Sequence, residues 1–510
     1  MKSVMQNRLS RAPQVNLPRS SFDRSHGGKT TFDAGWLIPI YVDEALPGDT
    51  FKLKSTHFAR LATPIYPIMD NAYFETFYFE VPVRQVWENW EKFNGEQDNP
   101  GDSTDYLVPT VTAPVGGYPV ESIYDYLGLP TDVAGIEHSA LPLRAINHIW
   151  NTWFRDQNLQ DSITVSKDDG PDDPATYVML RRGKRHDYFT SALPWPQKSD
   201  SGSVNLPLGE AAPIKSDQVV QGDGAQAGSF WPGTAVNPGG SPPHDWTGTI
   251  YADLSEATAA TINQLRQSIA VQRLFEKDAR GGTRYIEVIK NHFNVDSPDL
   301  RLQRPGYLGG GHTQINITPV AQTTPEGTDP TEVQGSLAAY GTVGAVNHGF
   351  TRSFTEHTII IGFCNVRADL TYQQGVDRMW SRQTRFDHFW PELSTIGEQE
   401  VLRKEIFATG VAEEDGAVFG YQERFAEYRY KQSKITGKFR STYAQSLDAW
   451  HLSQEFLNAP VLGDQFIQDN PPFDRVIAVP DEPHFIMDSY FSLLCARPMP
   501  MFGIPGLDKL

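Results

Sequence analysis

Glycine and proline recur so often, 42 and 37 times in 510 residues, that few stretches run unbroken for long. Between those breaks the chain gathers aromatic and β-branched residues, and such clusters bounded by turn formers read as β-strands joined by long loops. The segments 71–82, NAYFETFYFEVP, and 357–372, HTIIIGFCNVRADLTY, are the strongest candidates. In 49–61, DTFKLKSTHFARL, Phe51, Leu53 and Ser55 alternate with Lys52 and Lys54, the two-residue period of a half-buried strand. The sequence therefore predicts a mainly β protein with antiparallel sheets. A hydrophobic content of 39%, with 12% aromatic residues, supplies a large core.

Helices are few and look inserted between strands. Over 81–95, Pro82 suits a first helical turn, Val83, Val86, Trp87, Trp90 and Phe93 repeat at helical spacing, and Gly95 ends the run. The stretch 141–154 repeats the device with Pro142, Ile146, Ile149, Trp150, Trp153 and Phe154. Both aromatic stripes read as core. A third helix opens on the capping pair Asp253 and Glu256 and ends at Gly281 and Gly282. Ile262, Leu265 and Ile269 share one of its faces while Val271, Leu274 and Phe275 lie off it, which predicts burial on more than one side. Residues 198–253 are rich in Gly, Pro, Ser and Asp with little periodicity, a long surface excursion, and 318–335 is a shorter one.

The formal net charge is −18, yet the cations are bunched. Lys2, Arg8, Arg11, Arg19, Arg24 and Lys29 face only Asp23 within the first thirty residues, which reads as a flexible basic arm over 1–30. Arg181, Arg182, Lys184 and Arg185 form a burst ahead of an aromatic and proline-rich run. In 425–440, Arg429, Lys431, Lys434, Lys438 and Arg440 alternate with Tyr428, Tyr430 and Phe439. Cations interleaved with aromatics suit single-stranded nucleic acid, charge for phosphates and flat faces for bases. A solvated strand face accounts for the same pattern, and the 181–185 burst equally suits pairing with the acids of 167–174, KDDGPDDP.

Patterns of catalysis are missing. HGGKT at 26–30 lacks the first glycine of a phosphate-binding loop and reads as a flexible turn. LGGGHTQ at 308–314 lacks the dinucleotide plan and reads as a loop that permits close backbone approach. His388 has Asp387 and Glu392 nearby, but Phe386, Phe389 and Trp390 point to packing. No cofactor or metal site is expected. Cys364 and Cys495, the only cysteines, read as ordinary buried thiols. No secretory signal and no spanning helix is expected.

Five separated segments, 20–51, 67–96, 253–287, 419–441 and 495–507, together resemble the major capsid proteins of the microviruses, in the gokushovirus branch. The resemblance implies one eight-stranded antiparallel jelly roll over 31–510, elaborated by insertions, closing in about sixty copies into a T=1 icosahedral shell around circular single-stranded DNA. It further implies a virion protein of a bacteriophage, assembled in the bacterial cytoplasm. Its partners would be further copies of itself, the internal scaffolding, DNA-pilot and small DNA-binding proteins of the phage, and a host cell-surface receptor. The 198–253 excursion would then gather at threefold axes, with Phe230, Trp231 and Trp246 at the contact between copies or on a host-binding patch. Two other classes fit parts of the pattern: a viral spike or tail protein, and a carbohydrate-binding or glycan-cleaving β-sandwich.

Overall fold

The computed structural model describes residues 19–99, 101–198, 214–216, 250–252, 262–282, 285–294, 302–323 and 335–502. Lys2, Arg8, Arg11, Phe230, Trp231, Trp246 and the Asp253–Glu256 capping pair lie outside them. The chain divides into two compact units, one of Met1–Pro196 with Ser297–Leu510, the other of Gln197–Asp296.

The first unit opens with strands β1 (Ser20–Asp23), β2 (His26–Phe32), β3 (Ile38–Ala45), β4 (Thr50–Leu61) and β5 (Ala72–Pro82). Short β6 (Thr110–Thr112) and β7 (Glu137–Ser139) follow, and β8 (Ile214–Ser216) pairs with β9 (Ile250–Ala252) in the second unit. The first unit resumes with β10 (Gly306–Gln314), β11 (Asn316–Ala321), β12 (Leu337–Ser353), β13 (Thr358–Ala368), β14 (Glu398–Leu402), β15 (Val418–Glu423) and β16 (Phe485–Arg497).

Two antiparallel sheets carry the fold. One runs β1-β16-β4-β12-β11 with β2 also on β16, and the other β10-β5-β13-β3. The chain passes back and forth between them, β2 to β3 to β4 to β5, then β12 to β13 to β16, which is the jelly-roll manner of winding. The sheets hold six and four strands where eight in all are expected. The additions sit at the edges: β1 and β2 take successive stretches of β16, and β11 lengthens the side of β12.

Burial follows from which faces are covered. Facing side chains of the two sheets, among them Leu61, Phe74, Val343, Val366 and Phe485 at one end and Phe51, Leu53, Tyr78, Phe350 and Phe491 at the other, fill the space between them. The outer side of the four-stranded sheet is covered again by the 83–180 insertion through Trp87, Leu143, Ile146 and Trp150. All eleven residues of β13 are consequently buried, and its apolar stretch Ile359–Cys364 suits cover on both faces. By contrast β4, in the other sheet, alternates strictly, with Lys52, Lys54, Thr56, Phe58 and Arg60 in solvent. A third cluster around Phe189, Tyr372, Val401, Phe419 and Phe466 centres a lobe built largely from residues between β13 and β16.

Several expectations are corrected. The 81–95 run is a single 3-10 turn, Val83–Gln85, then one helical turn, α1 (Trp90–Phe93). Asp169 ties down the joint, accepting from Trp87 Nε1 at 2.7 Å and from Asn89 Nδ2 at 3.0 Å. After the short α2 (Ile123–Tyr126), α3 (Leu141–Ile149) forms as expected behind Pro142 and continues as a π turn through Phe154. Trp87 and Trp150 are core, whereas Trp153 is 42% exposed. In the second unit α4 (Ile262–Gly281) ends where expected, and α5 (Tyr285–Phe293) folds back on it through His292 and Asp278 at 2.7 Å. Burial on several sides of α4 is not found. Leu265, Ile269, Val271 and Leu274 are all exposed.

Both glycine-rich stretches are strands, not turns or loops. HGGKT lies in β2, because the edge of β16 supplies hydrogen-bond partners that no local reading can see. LGGGHTQ lies in β10, and here close approach is real: a Cβ on Gly310 would lie 2.0 Å from the Thr76 carbonyl oxygen, and one on Gly311 2.5 Å from the His348 ring.

Candidate functional site

The basic burst sits on the outer side of the four-stranded sheet and is occupied from within the chain. Glu75, on β5, is nearly buried and receives three guanidinium groups. Arg182 contacts it directly, Arg367 of β13 lies 3.0 Å away and Arg185 3.4 Å, with Arg185 also 3.5 Å from Asp369. Burial alone would raise the Glu75 carboxyl, but Arg182 and Arg367 outweigh it and hold the group below the ordinary range. Burial pushes Arg182 down to about 10, with Arg367 adding to the effect. Lys184 is pushed down to about 8 by burial; it donates to Gln454 at 3.0 Å and lies over the Phe466 ring at 4.3 Å. Arg181 stacks on Trp36 at 3.9 Å and donates to Asn470 at 2.9 Å.

Behind them Asp469, pushed up to about 6 by burial, completes the acids of the cluster. Arg182 over Phe77 and Arg185 over Tyr73 add aromatic faces at 4.5 and 4.8 Å. The four cations thus tie β5 and β13 to the lobe of Phe466. Their acids are not those of 167–174. Asp168 and Asp172 instead bind Arg144, a fully buried side chain of α3, at 3.2 and 2.6 Å. Neither Glu75, Arg367 nor Asp469 stands out locally in the sequence, and only the register of β5 against β13 brings the first two together.

The other cations divide similarly. Arg24 pairs bidentately with Asp43 at 2.8 and 2.9 Å, Lys29 meets Asp488 at 3.2 Å, and Arg19 donates to Thr50. The basic arm expected over 1–30 is therefore sheet from Ser20 onward. In 425–440 the backbone is irregular, with 3-10 turns and no strand. There Arg429 pairs with Glu423, Lys431 with Asp377 at 3.3 Å, Arg440 donates to the Gln373 carbonyl at 2.7 Å, and Lys438 lies 5.9 Å from the Tyr443 ring. Lys434 bridges its backbone to Tyr372. Tyr428 and Tyr430 are about half exposed.

Beside them lies an apolar surface, of which reasoning from the sequence assigned Phe386, Phe389 and Trp390 to packing. Trp380 is 72% exposed, Phe386 61% and Ile396 65%, with Phe389 and Trp390 also open. Phe389 rests against Phe425 at 5.3 Å and Tyr428 at 6.2 Å, so the group is ordered though not covered. Arg382 over Tyr428 at 4.2 Å and Arg385 over Trp390 at 4.4 Å frame it. His388, within this stretch, is itself exposed.

Comparison with known proteins agrees in direction. Residues 10–507 match the family model described as capsid protein (F protein). The chain is 49% identical to capsid protein VP1 of Bdellovibrio phage phiMH2K, covering 98% of each chain. It is 43% identical to capsid protein VP1 of Chlamydia phage 1, over 100% of this chain and 99% of that one, and 34% identical to capsid protein VP1 of Spiroplasma virus 4, over 97% and 96%.

Proposed function

The chain belongs to the capsid protein (F protein) family of the microviruses and is a major capsid protein, and from that premise we propose that about sixty copies close into a T=1 shell around circular single-stranded DNA. Its work is assembly and not catalysis. The phage's scaffolding, DNA-pilot and small DNA-binding proteins would meet the inner wall, and shells would form in the bacterial cytoplasm. The 198–253 excursion, rich in Gly, Pro, Ser and Asp, would project outward and meet the host receptor.

The observation that carries this reading is the open aromatic surface of Trp380, Phe386, Phe389 and Ile396. Large apolar groups framed by arginine have the composition of an interface core, and a neighbouring copy would cover them. Electron microscopy of the purified protein tests it. Closed shells, or pentameric and trimeric fragments, are expected; fibres or lone monomers would favour a spike or tail protein. A Trp380→Glu, Phe386→Ser variant should stay folded and soluble yet form no shells. Shells formed as readily as by the parent would place the contact elsewhere.

A further inference from the structure

Among the described residues of the first unit, one broad sheet face is left uncovered. The six-stranded sheet turns its inner side to the jelly-roll core and leaves its outer side bare, with side chains from β4, β12 and β16 in solvent. That face is not polar throughout: Phe58 is 56% exposed, Tyr490 55%, Ile486 61% and Val346 60%. Register sets their neighbours. Tyr490 lies opposite Thr56, Asp488 opposite Phe58, Ile486 opposite Arg60 and Leu494 opposite Lys52. Phe58 and Tyr490 are thus diagonal cross-strand neighbours, about 7 Å apart at Cβ, with cations on either side along β4.

Cations outnumber carboxylates on this face: Asp488 meets Lys29, and Asp23 accepts only from Ser25 and keeps its charge. Among the described residues no ion pair engages Lys52, Lys54 or Arg60. In a chain of net charge −18, three such cations around two open aromatic rings, against one carboxylate without a cation, are complementary to a polyanion with flat bases. Lysine is depleted from protein–protein interface cores, which sets this face apart from the arginine-framed surface of Trp380 and Phe386. Strand β1, into which the basic residues 1–18 lead, also belongs to this sheet.

We propose that the bare face of the six-stranded sheet is a platform for single-stranded DNA, stacking bases on Phe58 and Tyr490 while Lys52, Lys54 and Arg60 hold phosphates. The assignment rests on the shell reading above and places this face inward. Contacts of this kind are tolerant of sequence, as a wall lining a whole genome requires.

Ultraviolet cross-linking of intact wild-type particles, followed by peptide mass spectrometry, tests it without a variant. Nucleotide adducts are expected within 50–61 or 485–497; adducts confined to other segments would overturn the proposal. Binding of a 30-nucleotide single strand to the purified subunit, read by fluorescence anisotropy, gives the second arm. A Lys52→Gln, Lys54→Gln, Arg60→Gln variant should reduce the slope of log K against log salt by about 2, each lost phosphate contact removing about 0.7. Phe58→Ala should leave that slope alone and weaken single-strand binding roughly tenfold to a hundredfold, with little effect on a duplex of the same sequence. Unchanged affinity and slope in both variants would overturn the platform. If variant shells assemble and keep full genomes with unaltered salt release, the platform fails and the shell reading stands. If wild-type protein forms no shell, it is the shell reading that fails.

Discussion

At the residue scale, Glu75 shows how an acidic chain uses a basic burst. Three arginines converge on one nearly buried carboxylate, so removing its charge leaves Arg182 and Arg367 facing one another with too little compensation. Glu75→Gln should destabilise the subunit by about 3 kcal/mol, the scale of a broken buried pair, read as a lower urea midpoint. A change within about 0.5 kcal/mol would mean that Asp369 and Asp469 neutralise the cluster unaided. None of this was legible locally. Arg182 and Arg367 lie 107 and 292 positions from Glu75, and sequence spacing carries no trace of a contact made by strand register and a returning loop.

His57 carries a second prediction at this scale. It sits between the sheets, with Ser489 Oγ and Ser55 Oγ each 2.8 Å from its ring nitrogens and Tyr78 donating to Ser55 at 2.8 Å. Burial, with a smaller push from His348, lowers its pKa to about 3. Unfolded, the ring takes its proton near 6.5, so the unfolded chain binds more protons between these values and stability falls as pH drops through that window. From pH 7.5 to pH 5 this one group should remove about 2 kcal/mol. His57→Gln should flatten that part of the pH profile of urea unfolding, and an unaltered profile would move the acid sensitivity to other groups.

At the element scale, strands announced themselves where one physical cause dominated. The period of two in β4 marks a sheet with one wet face, and the apolar stretch Ile359–Cys364 of β13 marks a strand covered on both. Strands β2 and β10 were hidden because their glycines answer to neighbours and not to local propensity. In β10 the glycines let the backbone lie against Thr76, Gly349 and His348. Gly310→Ala should therefore cost roughly 1–3 kcal/mol in thermal or urea unfolding, as overpacking does. Gly28 in β2 has no atom within 4 Å of an added Cβ, so Gly28→Ala should stay within about 0.5 kcal/mol. Equal effects at the two sites would show that backbone entropy, and not close approach, sets the need for glycine in β10. The broken helix after Pro82 has a similar cause, since Asp169 claims Trp87 and Asn89 where helical spacing alone predicts continuity.

At the scale of the whole molecule, the apolar surface left open among the described residues includes the bare sheet face, the Trp380–Phe386 surface and the α4 face of Leu265, Ile269 and Leu274. A protein that works alone would bury or lose such groups; one that works as a wall distributes them among DNA and neighbouring copies. The 198–253 excursion is of another kind. Inside it, β8 and β9 pair antiparallel with Ile214 opposite Ala252 and Ser216 opposite Ile250, so the ends of 217–249 are already held side by side. Closing that gap changes loop entropy little, because the cost grows only with the logarithm of length. Replacing 217–249 by a short Gly-Ser linker should leave shells that assemble with normal yield and keep their DNA, while attachment to host cells drops severalfold or more. Particle counts by electron microscopy and adsorption assays on the same preparation separate the outcomes. If shells are lost while the subunit still unfolds cooperatively, the segment is an assembly element, as a contact through Phe230, Trp231 and Trp246 between copies would make it.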